Sequence, residues 1–183
     1  HPVRALTTVP VGVRTDRGDI AAEHVVICAG MWSRQLGARA GINLPLQAAE
    51  HYYLITEPMA GIPRDLPLLE DPYSWAYFRE ETGGLLVGLF EPDAVPWQVD
   101  AIPEHFAFAE IQPNWDRMTP HLNAAFRRVP ALADAGVRQL FCGPESFTPD
   151  LAPLVGEAPG LRRCWVAAGL NSLGILNGPG IGR

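Results

Sequence analysis

Apolar positions along the chain fall into two textures. Val25-Val26-Ile27-Cys28-Ala29 is apolar without a break and stops at Gly30. A run of that kind predicts a strand buried on both faces, as in a parallel sheet. Cys164-Trp165-Val166-Ala167-Ala168 repeats the pattern and stops at Gly169. Outside the two runs the pattern is mostly alternating. Val9, Val11 and Val13 before the polar Thr15–Asp19 segment predict a β-hairpin. Residues 51–56, 75–80 and 85–90 predict three antiparallel strands, the last two joined by a turn at Glu81-Thr82-Gly83-Gly84. Residues 139–142 predict a further strand. Trp32, Leu36 and Ala40 stand at four-residue spacing and predict a short helix over 31–40. Residues 103–118 predict a helix interrupted at Pro113, and 122–129 a second short one. The glycines and prolines after Leu170 predict turns.

These elements predict an α/β (α+β) fold. A sheet module occupies residues 1–44, an antiparallel lobe is inserted over 45–147, and the chain returns to the first module over 148–183. Composition agrees with a packed core, since 48% of residues are hydrophobic and only 19% charged. A net charge of −6 argues against nucleic acid, whose binding needs a surplus of Lys and Arg. No apolar run reaches the roughly 18 residues of a membrane span. Three cysteines without a CxxC spacing predict neither a disulfide scaffold nor a metal site, but small buried hydrophobes in a reducing compartment. His105 and His121 have no partners at metal-ligand spacing. The opening His1-Pro2-Val3-Arg4 carries no initiator methionine and no signal pattern, which predicts a processed or excised chain.

The candidate chemistry lies where the two continuous strands end. Ala29-Gly30-Met31-Trp32 follows one, and Gly169-Leu170-Asn171-Ser172-Leu173-Gly174 follows the other. In α/β sheets ligands bind beyond the carboxyl ends of strands. Glycine there lets the backbone approach a flat ring or a phosphate.

Several segments resemble the D-amino-acid-oxidase-like FAD oxidoreductases, and within them the dimethylglycine/sarcosine dehydrogenase branch. His24–Ser33 is similar to the second flavin-contact segment of that family. Tyr77-Phe78-Arg79-Glu80, then Gly84-Leu85-Leu86-Val87-Gly88 and Pro96-Trp97, resemble the branch itself. Gly143-Pro144-Glu145-Ser146-Phe147-Thr148-Pro149-Asp150 is the most specific match. It is followed by Gly156–Leu161, the Gly169–Gly174 loop and Gly180-Ile181-Gly182-Arg183.

The resemblance implies part of an FAD-binding parallel-sheet domain with an inserted antiparallel substrate lobe. It implies FAD contacts at Ala29, Gly30, Trp32, Gly169, Leu170, Asn171, Ser172, Leu173 and Gly174. It implies catalytic roles for His51 and Tyr77, which left to themselves also read as a capped strand histidine and a core tyrosine. Arg79 offers a planar fork to a substrate carboxylate, or else lies on the solvent face of its strand. Asp150 orders a turn, and Trp97 belongs to the core.

The implied substrate is a small N-methyl amino acid such as dimethylglycine or sarcosine, oxidised by hydride transfer from the carbon beside the amine. Oxidase and dehydrogenase both remain open. The strand–GxGxxG–helix unit that holds the ADP half of FAD in the family has no counterpart in these residues, nor does the folate-binding module of many relatives. The expectation is therefore a fragment that is inactive alone and whose flavin site is incomplete. An electron acceptor or a folate-binding module would be the partner in the complete protein. Bacterial cytoplasm is the expected compartment, with the mitochondrial matrix as the alternative. The competing reading is a non-catalytic binding or assembly module derived from the same fold.

Overall fold

The computed structural model describes residues 3–8 and 11–183. In chain order the strands and helices are β1 (Val3–Thr8), β2 (Val11–Thr15), β3 (Gly18–Ala21), β4 (Val25–Ile27), α1 (Ser33–Arg39), β5 (Gln47–Thr56), β6 (Leu69–Asp71), β7 (Ala76–Glu81), β8 (Gly84–Leu89), α2 (Trp115–Arg128), β9 (Val137–Phe147), β10 (Leu154–Glu157), β11 (Cys164–Ala168) and α3 (Gly174–Ile181). Short 3-10 turns lie at Gly30–Trp32 and Pro130–Asp134. The contacts divide the chain into two compact units. One comprises His1–Ala49, Pro96–Phe106 and Glu145–Arg183; the other comprises Glu50–Val95 and Ala107–Pro144. Residues 96–106, which fall inside the lobe predicted over 45–147, belong to the first unit.

In the first unit β1, β2 and β3 form an antiparallel sheet, and β10, β11 and β4, in that order, form a mixed sheet. The predicted hairpin is the β2–β3 pair, with Thr15 facing Gly18; its expected member Val9 lies outside the described residues. β4 and β11 run parallel, with Val25, Val26 and Ile27 opposite Cys164, Trp165 and Val166. This brings the two continuous apolar runs side by side, as the sequence predicts. The expectation that both of their faces are buried is corrected. Ile27, Cys164, Val166 and Ala168 join Ile42, Leu44, Leu46 and Ala158 in one core. The alternate positions Val26 and Trp165 are 56% and 40% exposed, because no described element covers that face. Cys28 follows the same alternation and is exposed, so it is not a buried hydrophobe. Within this sheet β4 and β11 pair parallel, while β10 joins β11 antiparallel.

The second unit is built on the sheet ordered β6-β7-β8-β5-β9. It contains all three predicted antiparallel strands. β7 and β8 are joined through Thr82 (φ 50) and Gly83 (φ 85). Two successive positive φ angles make the tight turn that matches strand twist, so the loop has two residues rather than four. Odd positions of β8 and even positions of β5 and β7 face a core containing Leu85, Val87, Leu89, Tyr52, Leu54, Ala76 and Phe78. Met118, Leu122 and Ala125 of α2 close that core.

The helices differ most from expectation. Residues 103–114 are not helical, and a single helix spans Trp115–Arg128. Its start is fixed by Asn114, whose side-chain oxygen accepts from the Arg117 N–H at 2.9 Å. Pro113 precedes this cap, where the backbone before a helix is extended, and Pro120 lies inside the helix. α3 falls in the glycine-rich tail that predicts only turns; its Gly and Pro content hides any helical period.

Burial pushes the Cys142 thiol of the second core up to about 11, with the hydrogen bond to Tyr52 acting the other way. The raised value means that the fold favours the protonated thiol. Its contribution is complete below the ordinary thiol range, near 9, and is lost as pH rises toward about 11. Thermal stability of wild type should therefore fall over that alkaline window more steeply than that of Cys142→Ala; parallel curves would refute this.

Candidate functional site

Two groups of residues carry the candidate chemistry, one in each unit. In the first unit the parallel ladder sets Ala29-Gly30 and Gly169 at the ends of adjacent strands. The Ala29 N–H donates to the buried Ser33 Oγ at 3.1 Å, and the Trp32 N–H to the Ala29 carbonyl at 3.0 Å, which fixes the turn into α1. Gly30 has φ +54, with no atom within 4 Å of the place a Cβ would occupy. Its backbone is open to close approach, which suits a flat or anionic ligand.

The second loop is held from below. Asn171 accepts from the Thr148 N–H at 2.8 Å and donates to the Gly169 carbonyl at 2.6 Å. Ser172 donates to Glu145. Asn171 (φ 50) and Ser172 (φ 68) both sit in the left-handed region, the serine at greater conformational cost. Leu170 and Gly174 are half-buried and Leu173 is exposed. Gly169 has a packing reason of its own. At φ +66, an added Cβ would stand 2.6 Å from Thr148 Cγ2 and 2.7 Å from Leu46 Cδ2. Gly169→Ala should cost about 1–3 kcal/mol, measurable by denaturant unfolding; an unchanged midpoint would contradict this packing.

In the second unit His51 and Tyr77 do not stand on neighbouring strands. β8 lies between β5 and β7. The family resemblance alone would set the two on neighbouring strands, but β8, not β7, takes the place beside β5. The two side chains nevertheless share one face and meet the same ring. The His51 imidazole is 4.7 Å from the Phe90 ring centroid, and the Tyr77 ring is 5.6 Å from it. Gly88 is paired with Tyr77 on one side and Tyr53 on the other. A Cβ at Gly88 would stand 1.9 Å from Tyr77 Cζ, so the tyrosine ring lies directly across the β8 backbone. Tyr53 stacks on Phe141 at 4.5 Å with the planes 17° apart. Burial raises the Tyr53 phenol, and the Glu110 and Glu81 carboxylates raise it further while Arg79 lowers it.

Phe90, Gly88, Tyr53 and Phe141 complete this face and are not in the sequence-derived site. Strand alternation from His51 and Tyr77, together with a glycine inside β8, is the signal that points to them. Arg79 shares the Tyr77 face and pairs with Glu81 at 2.8 Å, its side chain 47% exposed. Asp150 accepts from the Ala152 N–H at 3.1 Å, which is a turn geometry. Trp97 is half-buried and packs 4.6 Å from Phe106. His105 is exposed and His121 half-buried, and the described residues hold no cluster able to bind a metal ion. No described helix is long and apolar enough to cross a membrane.

An open strand-end glycine beside a second glycine loop lies in one unit, and an antiparallel face of aromatic rings, His and Arg lies in the other. The chain belongs to the FAD dependent oxidoreductase (DAO) family, whose model matches residues 1–183. It is 43% identical over its whole length to 4-methylaminobutanoate oxidase (formaldehyde-forming) of Paenarthrobacter nicotinovorans, covering 22% of that protein. It is 40% identical over 93% of its length to mitochondrial sarcosine dehydrogenase of Mus musculus, covering 18% of that protein. The chain thus spans about a fifth of the length of these curated relatives. Among solved structures, L-proline dehydrogenase from P. horikoshii superposes with a TM-score of 0.79 at 22% identity. That match covers 99% of this chain and 47% of the other, and it supports the fold.

Proposed function

We propose that this chain is the strand-end flavin segment and the substrate lobe of an enzyme that oxidises a small N-methyl amino acid, of the sarcosine or dimethylglycine type. The observation that carries the reading is the shared face of His51, Phe90 and Tyr77, in a chain 43% identical to a 4-methylaminobutanoate oxidase (formaldehyde-forming). The first unit would serve the cofactor, and the second, Glu50–Val95 with Ala107–Pro144, the substrate. The flavin, when bound, supplies the hydride acceptor.

The residues suit that group. The open backbone at Gly30 and Trp32 after it fit a flat ring, as does the loop from Gly169 through Leu170, Asn171, Ser172 and Leu173 to Gly174. On the substrate side the first requirement is a neutral amine, because an ammonium gives up hydride poorly. An imidazole nitrogen of His51 takes the ammonium proton, and the Tyr77 hydroxyl hydrogen-bonds the amine. The Phe90 and Tyr77 rings favour the cation before that proton leaves. Arg79 binds the carboxylate in competition with Glu81. The iminium product is then hydrolysed or captured.

The reading is compatible with bacterial cytoplasm or a mitochondrial matrix, and with an electron acceptor or folate module as partner of the full-length protein. A non-catalytic module would show none of this chemistry. The test is anaerobic mixing of the full-length flavoprotein with sarcosine, dimethylglycine and 4-methylaminobutanoate. Loss of the oxidised flavin absorbance with at least one of them is expected. A protein that holds oxidised flavin and is reduced by none would refute the proposal.

A further inference from the structure

Behind the candidate face, on the core side of the same sheet, lies a charged cluster that the proposed chemistry does not use. Arg117 of α2 bonds Glu91 at 2.8 Å and the Asp93 carbonyl at 2.7 Å, and lies 3.4 Å from Glu50. Its guanidinium carbon stands 5.6 Å from the Tyr52 ring centroid. The Tyr52 hydroxyl donates to Glu50 at 2.6 Å. The group is well withdrawn from water: the Glu91 side chain is 2% exposed, Glu50 17% and Arg117 20%. Taking such charges out of water is costly, and a hydrophobic set of similar volume would often stabilise as well. Stability alone is a poor reason for the cluster.

Its position supplies another. Glu50 directly precedes His51 in β5, and Glu91 directly follows Phe90 after β8. Side chains alternate between faces along extended chain, so Glu50 and Glu91 point to the core while His51 and Phe90 point to the other face. Tyr52 pairs with Leu89, which sets the two strands in register one residue away from both partners. We infer that Arg117 is a positioning residue. By holding Glu50 and Glu91 together on one face it fixes the His51–Phe90 contact on the other. The role rests on the proposed function, since His51 matters to catalysis only under that reading. The Arg117–His51 coupling stands independently of it.

The coupling is read by NMR on full-length protein whose histidine ring carbons are labelled with carbon-13, the His51 signal being assigned from His51→Gln. In Arg117→Gln the His51 signal is expected to move while those of His24 and His105 stay in place. The rate of flavin reduction at saturating substrate should fall roughly tenfold to a hundredfold, the scale of a small misplacement of a reacting group, with substrate affinity changed less. Arg117→Lys keeps the charge but not the fork, and should restore the signal and the rate part of the way. A folded Arg117→Gln protein with an unmoved His51 signal overturns the inference. Should Arg117→Gln not fold, Arg117→Lys decides by the same signal: displaced in support, unmoved against. A displaced His51 signal alongside a normal flavin-reduction rate in His51→Ala would uphold the coupling and sink the catalytic role instead.

Discussion

In the full-length flavoprotein, His51→Ala and Tyr77→Phe should each slow single-turnover flavin reduction about a hundredfold, the usual scale of a general acid–base contribution. The flavin spectrum should stay nearly unchanged, because neither residue is assigned to the cofactor. Both side chains converge on Phe90, the imidazole at 4.7 Å and the phenol ring at 5.6 Å. Under the proposed function they would reach one small ligand although β8 separates their strands. Single-turnover mixing is the proper assay, since it isolates hydride departure from reoxidation. The two losses should not add in the double variant, because both act on the same proton inventory of one amine. Rates within about twofold of wild type in both variants would reduce these residues to packing roles.

Gly88→Ala should be almost as damaging as removing the Tyr77 hydroxyl, although it deletes nothing. The new methyl would fall 1.9 Å from Tyr77 Cζ and 2.0 Å from Cε1. The backbone of a central strand cannot yield easily, so the tyrosine ring must swing away from its place over β8. The expected result is a loss in flavin reduction of about a hundredfold or somewhat less, with a modest cost in stability of roughly 1–3 kcal/mol. A double-mutant cycle separates this cause from general damage. In a Tyr77→Ala background the obstructing ring is gone, and Gly88→Ala should then do little further harm. Equal harm in both backgrounds would show that the glycine serves the strand and not the tyrosine.

The strands were legible because their signals are local. Unbroken apolar runs ending at Gly30 and Gly169 predict β4 and β11, and alternation around Thr82-Gly83 predicts β7 and β8. Their partners were less so. That β8 inserts between β5 and β7 is a matter of long-range pairing, which alternation does not specify. The exposed positions of Val26, Trp165 and Cys28 escaped for the same reason: an apolar run states what a strand can bury, not how many layers cover it. α2 was misplaced because Pro113 reads as a break inside a helix rather than as the residue before its cap. The Asn114 cap, only one residue after Pro113, carried the true boundary.

At the candidate site, His51 and Tyr77 came from resemblance. Their common neighbour Phe90 and the clearance at Gly88 needed coordinates. So did the Arg117 cluster, whose members Glu50, Glu91 and Arg117 are scattered over the sequence and look like ordinary surface charges.

Under the proposed function the amine of the substrate sits over Phe90 between His51 and Tyr77. Trimethylglycine carries the cationic nitrogen and the carboxylate of the proposed substrates, but it has no proton to lose and no lone pair to drive hydride departure. A crystal structure of the oxidised full-length protein with this compound tests the claim most directly. The predicted result is the quaternary nitrogen within about 6 Å of the Phe90 and Tyr77 ring centroids, the range of cation–π contact, with the carboxylate turned toward Arg79. A ligand bound elsewhere in the protein, with His51, Phe90 and Tyr77 untouched, would contradict it.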